Sequence, residues 1–153
     1  MARKDLTLLL NTLLMEIEDG KKGFALAAEE CEAVELKPIL MECSHDCARA
    51  LHDLQKTVQS YGEPAAQHGS AAGAVRHGWT RLKSNVAADP TLAALDDVER
   101  EYGRIESAFD AALGADLPQA VRSVVEQERG RVRHSPARLA EVRARYQQEH
   151  ANP

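Results

Sequence analysis

GEPAAQHGSAAGAVRHGWTRLKSNVAA, residues 62–88, decides the topology. A link between antiparallel helices needs only about 2–8 residues. This stretch is several times longer, and Ala72, Val75, Trp79, Leu82 and Val86 give it a helical apolar spacing of its own. It reads as a crossover that carries a short helix over about 71–87. Before it run two longer stripes with apolar residues three and four apart. The first is Leu6, Leu10, Leu13, Ile17, Gly20, Phe24, Ala27, Cys31, and the second is Leu36, Leu40, Cys43, Cys47, Ala50, Leu54, Val58, Tyr61. After it come Leu95, Val98, Tyr102, Ile105, Phe109, Ala112 and then Val121, Val124, Glu128, Val132, Ser135, Leu139, Val142, Tyr146. Each stripe marks one buried helix face, so four long helices are expected over about 5–31, 35–61, 90–113 and 118–148. Asp89 and Pro90 supply an N-cap and a first-turn proline for the third. Within each pair the link is short, so the reading is an all-α, up-down four-helix bundle with one long crossover.

Composition agrees with a single helical domain. The chain has 153 residues, 44% of them hydrophobic but only 4% aromatic, and 28% charged. That length excludes a two-domain enzyme, and the scarcity of aromatic residues disfavours sheet. Arg3 and Lys4 followed by an apolar run resemble a leader. Asp5 and Asn11 interrupt that run, however, and its spacing continues unbroken into the first stripe. No run approaches the roughly 20 apolar residues of a membrane span. Three cysteines, Cys31, Cys43 and Cys47, are an odd number, which favours a reducing cytoplasm over a disulfide framework. Net charge is −5, so neither nucleic acid nor membrane is expected as a partner. From residue 119 onward seven arginines stand against four glutamates, which leaves −8 for residues 1–118. Without interleaved aromatics, the basic end reads as a solvated helix face that pairs with the acidic remainder of the bundle or of a second subunit.

The strings LNTLLMEIEDGKKGFALAAEE (10–30), SAAGAVRHGWTRLK (70–83) and LGADLPQAVRSVVEQERGRVRHSPARL (113–139) resemble a bacterial ferritin-like four-helix-bundle family of unknown function. The resemblance runs from about Leu9 to Val142, with Asp19-Gly20, Gly23-Phe24, Gly73, Gly78-Trp79, Leu82-Lys83 and Leu117-Pro118 as its most telling positions. It implies a ferritin-like bundle and no settled activity. Arg76-His77 reverses the order common in that family, Tyr102 stands where an acid is common, and Ser135 stands where Asp is common.

Such bundles house di-iron centres built from a Glu on each of two helices and a Glu-x-x-His on each of the other two. Glu42-Cys43-Ser44-His45 is a literal match on the second helix. At about 100° per residue, though, His45 lies roughly 170° and Glu42 roughly 130° from the centre of that helix's apolar stripe, so both are expected in solvent. On the fourth helix Arg131 stands three residues before His134, where the motif needs Glu. A second constellation lies on the buried stripes: Glu128 and Tyr102 occupy apolar positions at similar depth, with Cys43 and Cys47 at that level. A buried carboxyl needs a partner. A Tyr102–Glu128 hydrogen bond, with Arg131 or a water, would fix helix register, and the four side chains are also the candidate metal ligands. His52 and His68 are expected in solvent, His77 to stack or cap beside Trp79, and Trp79 to pack the crossover. Pro136, with Gly130 upstream, should bend or break the last helix near residues 133–135, which would either let the C-terminal turns wrap around the bundle or expose Leu139, Val142 and Tyr146 for a partner helix.

The expected function is that of a non-catalytic cytoplasmic bundle, with no catalytic residue and no cofactor, acting as a homo-oligomer or by binding a protein partner. The alternative is a degenerate ferritin-like site that binds iron or another transition metal under iron or redox stress.

Overall fold

The computed structural model describes residues 3–61, 65–86, 88–134 and 136–151, without the side chains of residues 83–86 and 136. Among the described residues the fold is all-helical. Helix α1 spans Arg3–Glu30, and a 3-10 turn at Val34–Leu36 leads into α2, Lys37–Gln59. The crossover carries α3, Ala71–Val86; α4 spans Pro90–Leu113, α5 Gln119–Val132 and α6 Pro136–Ala151. Helix α4 begins as its sequence dictates, with the Asp89 carboxylate accepting from Leu92 N at 3.1 Å and Pro90 in the first turn, where no donor is missed. The single helix expected over 118–148 is two helices. A proline at 136 offers no N–H to the preceding turn, and α5 closes with the N–H groups of Arg133 and His134 turning back to Arg129 O and Arg131 O.

Helix α1 packs on α2 and α4, and α5 packs on α2 and α4 in turn. The shared core holds Leu10, Leu13, Ile17 and Phe24 of α1, Leu40, Cys47 and Leu54 of α2, Ile105 and Phe109 of α4, and Val125 of α5. Each fully buried aliphatic or Phe side chain contributes about 1.5–3 kcal/mol. Gly20 sets the α1–α4 distance: a Cβ there would lie 2.3 Å from Ile105 Cδ1. No described helix is long and apolar enough to cross a membrane.

The arginines of α5 and α6 bind the acidic part of the same chain. Arg129 and Arg133 reach Glu106 at 3.2 and 2.8 Å, Arg138 reaches Glu42, and Arg143 spans Asp96 and Glu99 at 2.6 and 2.9 Å. Leu139, Val142 and Tyr146 are buried, so of the two outcomes expected of the break at Pro136 it is the wrapping of the C-terminal turns around the bundle that occurs. The Tyr146 hydroxyl donates to the Asp89 carboxylate at 3.1 Å.

Helix α3 lies on α1 and α4, and it lies the other way round from the expectation. Val75, Trp79 and Leu82 are 73%, 59% and 56% exposed, so Trp79 does not pack the crossover against the bundle. The side turned inward is the polar one, with Gly73, Arg76 and His77. Asp19 of α1 and Glu101 of α4 are buried beneath it, and leaving a buried carboxylate without a donor costs about 3–5 kcal/mol, so the two together weigh on the scale of three exposed apolar side chains. The orientation of α3 follows from those two acids.

Candidate functional site

The seat of α3 is built around Asp19. Its Oδ1 accepts from Ser70 N at 3.0 Å and its Oδ2 from Ser70 Oγ at 2.6 Å, while Ser70 Oγ accepts from Gly73 N at 2.8 Å. Ser70 is thus the N-cap of α3, and a carboxylate from another helix stands at that helix's positive end. The fit leaves no room for side chains: a Cβ on Gly69 or Gly73 would fall 2.2 or 2.1 Å from Asp19 Oδ1.

One turn further along, Arg76 lies between two acids, with Nη2 3.5 Å from Asp19 Oδ2 and Nε 4.0 Å from Glu101 Oε1. Glu101 Oε1 also has His77 Nε2 at 3.4 Å and Arg104 Nη2 at 2.8 Å. Burial alone would raise the Glu101 pKa, but His77 and Arg104 override it and hold the carboxyl below its ordinary range. Glu16 shifts the other way, raised by burial and by the Asp19 charge. Arg76 Nε and Nη2, Glu101 Oε2 and Glu16 Oε2 make no hydrogen bond. The seat is therefore charge-balanced but only partly bonded. Farther along, Arg81 reaches Glu29 and Glu30 at 3.3 and 3.4 Å.

Two clefts flank α3. One, of about 330 Å³, is lined by Arg76, Trp79, Thr80, Arg100, Glu101 and Arg104. The other, of about 320 Å³, is lined by Lys22, Leu26, His77, Gly78 and Arg81. The outward side of α3 presents Ala71, Ala72, Ala74, Val75, Gly78, Trp79 and Leu82, with the exposed Arg81 at its edge beside Ala74.

The residues singled out in the sequence lie elsewhere. Glu128 is fully buried, with Oε2 accepting from Arg131 Nε at 2.9 Å. Arg131 in turn reaches Asp53 of α2 at 3.5 Å. Burial, and then the neighbouring Asp53 carboxyl, push the Glu128 pKa up to about 7 against the opposing pull of Arg131. Tyr102 packs its ring 4.9 Å from that of Phe24 and lines a slot beneath α6 with Leu139, Ala140 and Arg143. Cys43 and Cys47 are both buried, and burial followed by the neighbouring Cys43 pushes the Cys47 thiol up. Glu42 pairs with Arg138 on the surface and His45 is exposed. His52 and His68 are exposed as well. Among the described residues, no group of three or more His, Cys, Asp or Glu side chains is placed to hold a metal ion. The residues present therefore do not fit the di-iron centre that ferritin-like bundles imply.

Sequence reasoning missed Asp19, Arg76, Glu101 and Asp53. Two signals pointed to the first three. Ser70-x-x-Gly73 is an N-cap with its bonded third residue, and residues 65–88 contain Arg76, Arg81 and Lys83 but no Asp or Glu, which matches an acidic seat. A model of the family described as Domain of unknown function (DUF2383) matches residues 5–115, from the first turn of α1 to just beyond the end of α4. No curated protein matches the chain.

Proposed function

Since the chain belongs to the DUF2383 family, its role has to be read from its own surface, and we propose that it is a ferritin-like bundle that acts by binding a protein surface, without catalysis. The ferritin-like arrangement is supported by the short α1–α2 and α4–α5 links, the long crossover between them, and the packing of α1 and α5 each on α2 and α4. One observation carries the binding reading: a whole helix is docked by its polar side, so that its apolar side faces outward. Scattered exposed apolar residues need no explanation, but a contiguous stripe does.

At the exposures of Val75, Trp79 and Leu82, covering them removes roughly 350 Å² from water. That is about 9 kcal/mol gross at ~25 cal/mol per Å². Association costs about 4–15 kcal/mol, so the stripe supports a reversible contact rather than a permanent one. A metal centre assembled from Glu128, Tyr102, Cys43 and Cys47 is the weaker reading, because Glu128 Oε2 already accepts from Arg131 and no group of three or more His, Cys, Asp or Glu among the described residues is placed to hold a metal ion. Protein purified without an affinity tag that carried stoichiometric iron, zinc or copper, and lost it on Glu128→Gln, would reverse that preference.

The binding reading is tested by placing a photo-crosslinking amino acid at position 79, and at exposed Gln127 as control, in the cells that make the protein. A discrete protein adduct, to this chain or another, is expected from position 79 and not from 127. No adduct from 79, or the same adducts from both, overturns the reading.

A further inference from the structure

We propose that the occupant of the stripe is a second copy of this chain, with α3 packed antiparallel on its counterpart about a two-fold axis between residues 78 and 79. This rests on the reading of α3 as a binding face and adds the partner and the register. The stripe is palindromic in spacing: Val75 and Gly78 precede the axis by the same steps at which Trp79 and Leu82 follow it. Antiparallel pairing therefore sets Val75 of each copy opposite Leu82 of the other, and Trp79 opposite Gly78. A two-fold interface needs a surface complementary to itself, and a large ring beside a residue with no side chain is such a surface. A Cβ on Gly78 would meet nothing within 4 Å, so the seat for that ring is open.

Charge and area agree with this occupant. The large side chains of the stripe, Val75, Trp79 and Leu82, are uncharged, and the exposed Arg81 stands at its edge, paired with Glu29 and Glu30; antiparallel helices also oppose their dipoles favourably. An anionic lipid surface fits less well, because Arg76 and Arg81 are already engaged by acids and the chain carries −5 overall. Two copies cover roughly 700 Å² through the three large side chains. Ala71, Ala72, Ala74 and Gly78 extend the contact toward the ~1,200 Å² of small specific interfaces. The expected dimer is weak and concentration-dependent.

Sedimentation of the full chain over a wide concentration range should show monomer and dimer in exchange, with a dissociation constant on the order of micromolar. Trp79→Glu should weaken the dimer at least about tenfold, a 1.4 kcal/mol effect, with the circular dichroism unchanged. For the register, a mixture of Val75→Cys and Leu82→Cys chains should form a disulfide-linked pair, while each variant alone stays unlinked; Cys31, Cys43 and Cys47 are buried and silent. Efficient self-linking of Val75→Cys overturns the antiparallel register. A chain that stays monomeric at every concentration overturns the second copy as occupant. In that case an adduct from position 79 to a different protein leaves the binding reading standing, whereas no adduct removes both.

Discussion

Two glycines on one helix, Gly73 and Gly78, should answer the same substitution with opposite signs. A methyl group at 73 would stand 2.1 Å from a carboxylate oxygen of Asp19, whereas at 78 it meets open space. Gly73→Ala should therefore lower unfolding stability by about 1–3 kcal/mol, despite the helix-propensity gain. Gly78→Ala should raise it by about 0.5–1 kcal/mol; urea unfolding measures both. Glu128 sets a pH dependence. Because its pKa is raised to about 7, the folded state holds a proton that the unfolded state releases near 4.5. The stability tied to this proton is full below about pH 4.5, declines as pH rises toward about 7, and stays lost above it. Glu128→Gln keeps an acceptor for Arg131 and removes the titration. Its melting temperature relative to the native protein should climb between about pH 4.5 and 7, by the equivalent of roughly 2 kcal/mol, and a flat difference would refute the assignment. Glu128 was legible as a problem because it interrupts an apolar stripe. Asp53, which shares Arg131 with it, was not, because it lies off the stripe of α2, where spacing carries no information.

At the scale of the element, the spacing of α3 was legible and its facing was not. Periodicity says that one side of a helix is apolar but not which side meets the rest of the molecule. Here Asp19 and Glu101, two acids remote in sequence, decide it; the acid-free, basic composition of α3 hints at an acidic seat but does not say which residues form it. The dependence can be tested directly. Asp19→Ala removes the acceptor of both Ser70 bonds, so amide hydrogens of α3 should exchange at least about tenfold faster, while those in the α1–α2 core change little. Uniform acceleration would mean that α3 is not a separate unit. The break at Pro136 was legible because proline acts locally. Whether α6 then wraps around the bundle or leaves it was open in the sequence, because that depends on Asp89, Asp96 and Glu99 of a distant segment.

The whole molecule is held by an apolar core and an outer set of arginine–acid pairs between the basic end and the acidic remainder. The charge imbalance along the chain announced that set; the individual pairings came only with the fold. Exposed pairs contribute about 0.2–1 kcal/mol each and weaken with salt, so the set chiefly holds α6 in place. Arg143→Ala, which removes the links to Asp96 and Glu99, should speed limited proteolysis near residues 133–136 several-fold and shift global melting by no more than a few degrees. A loss of far more than that would make α6 part of the main core.

The position of Trp79 also determines what light can report. It is the chain's one tryptophan, and it is 59% exposed in the folded state, on a helix outside the shared core. Its emission should be close to that of the unfolded chain, so a melting curve followed by tryptophan fluorescence should be almost featureless while circular dichroism records a full transition. The same indole then serves as a selective optical probe of whatever settles on α3, undiluted by signal from the interior.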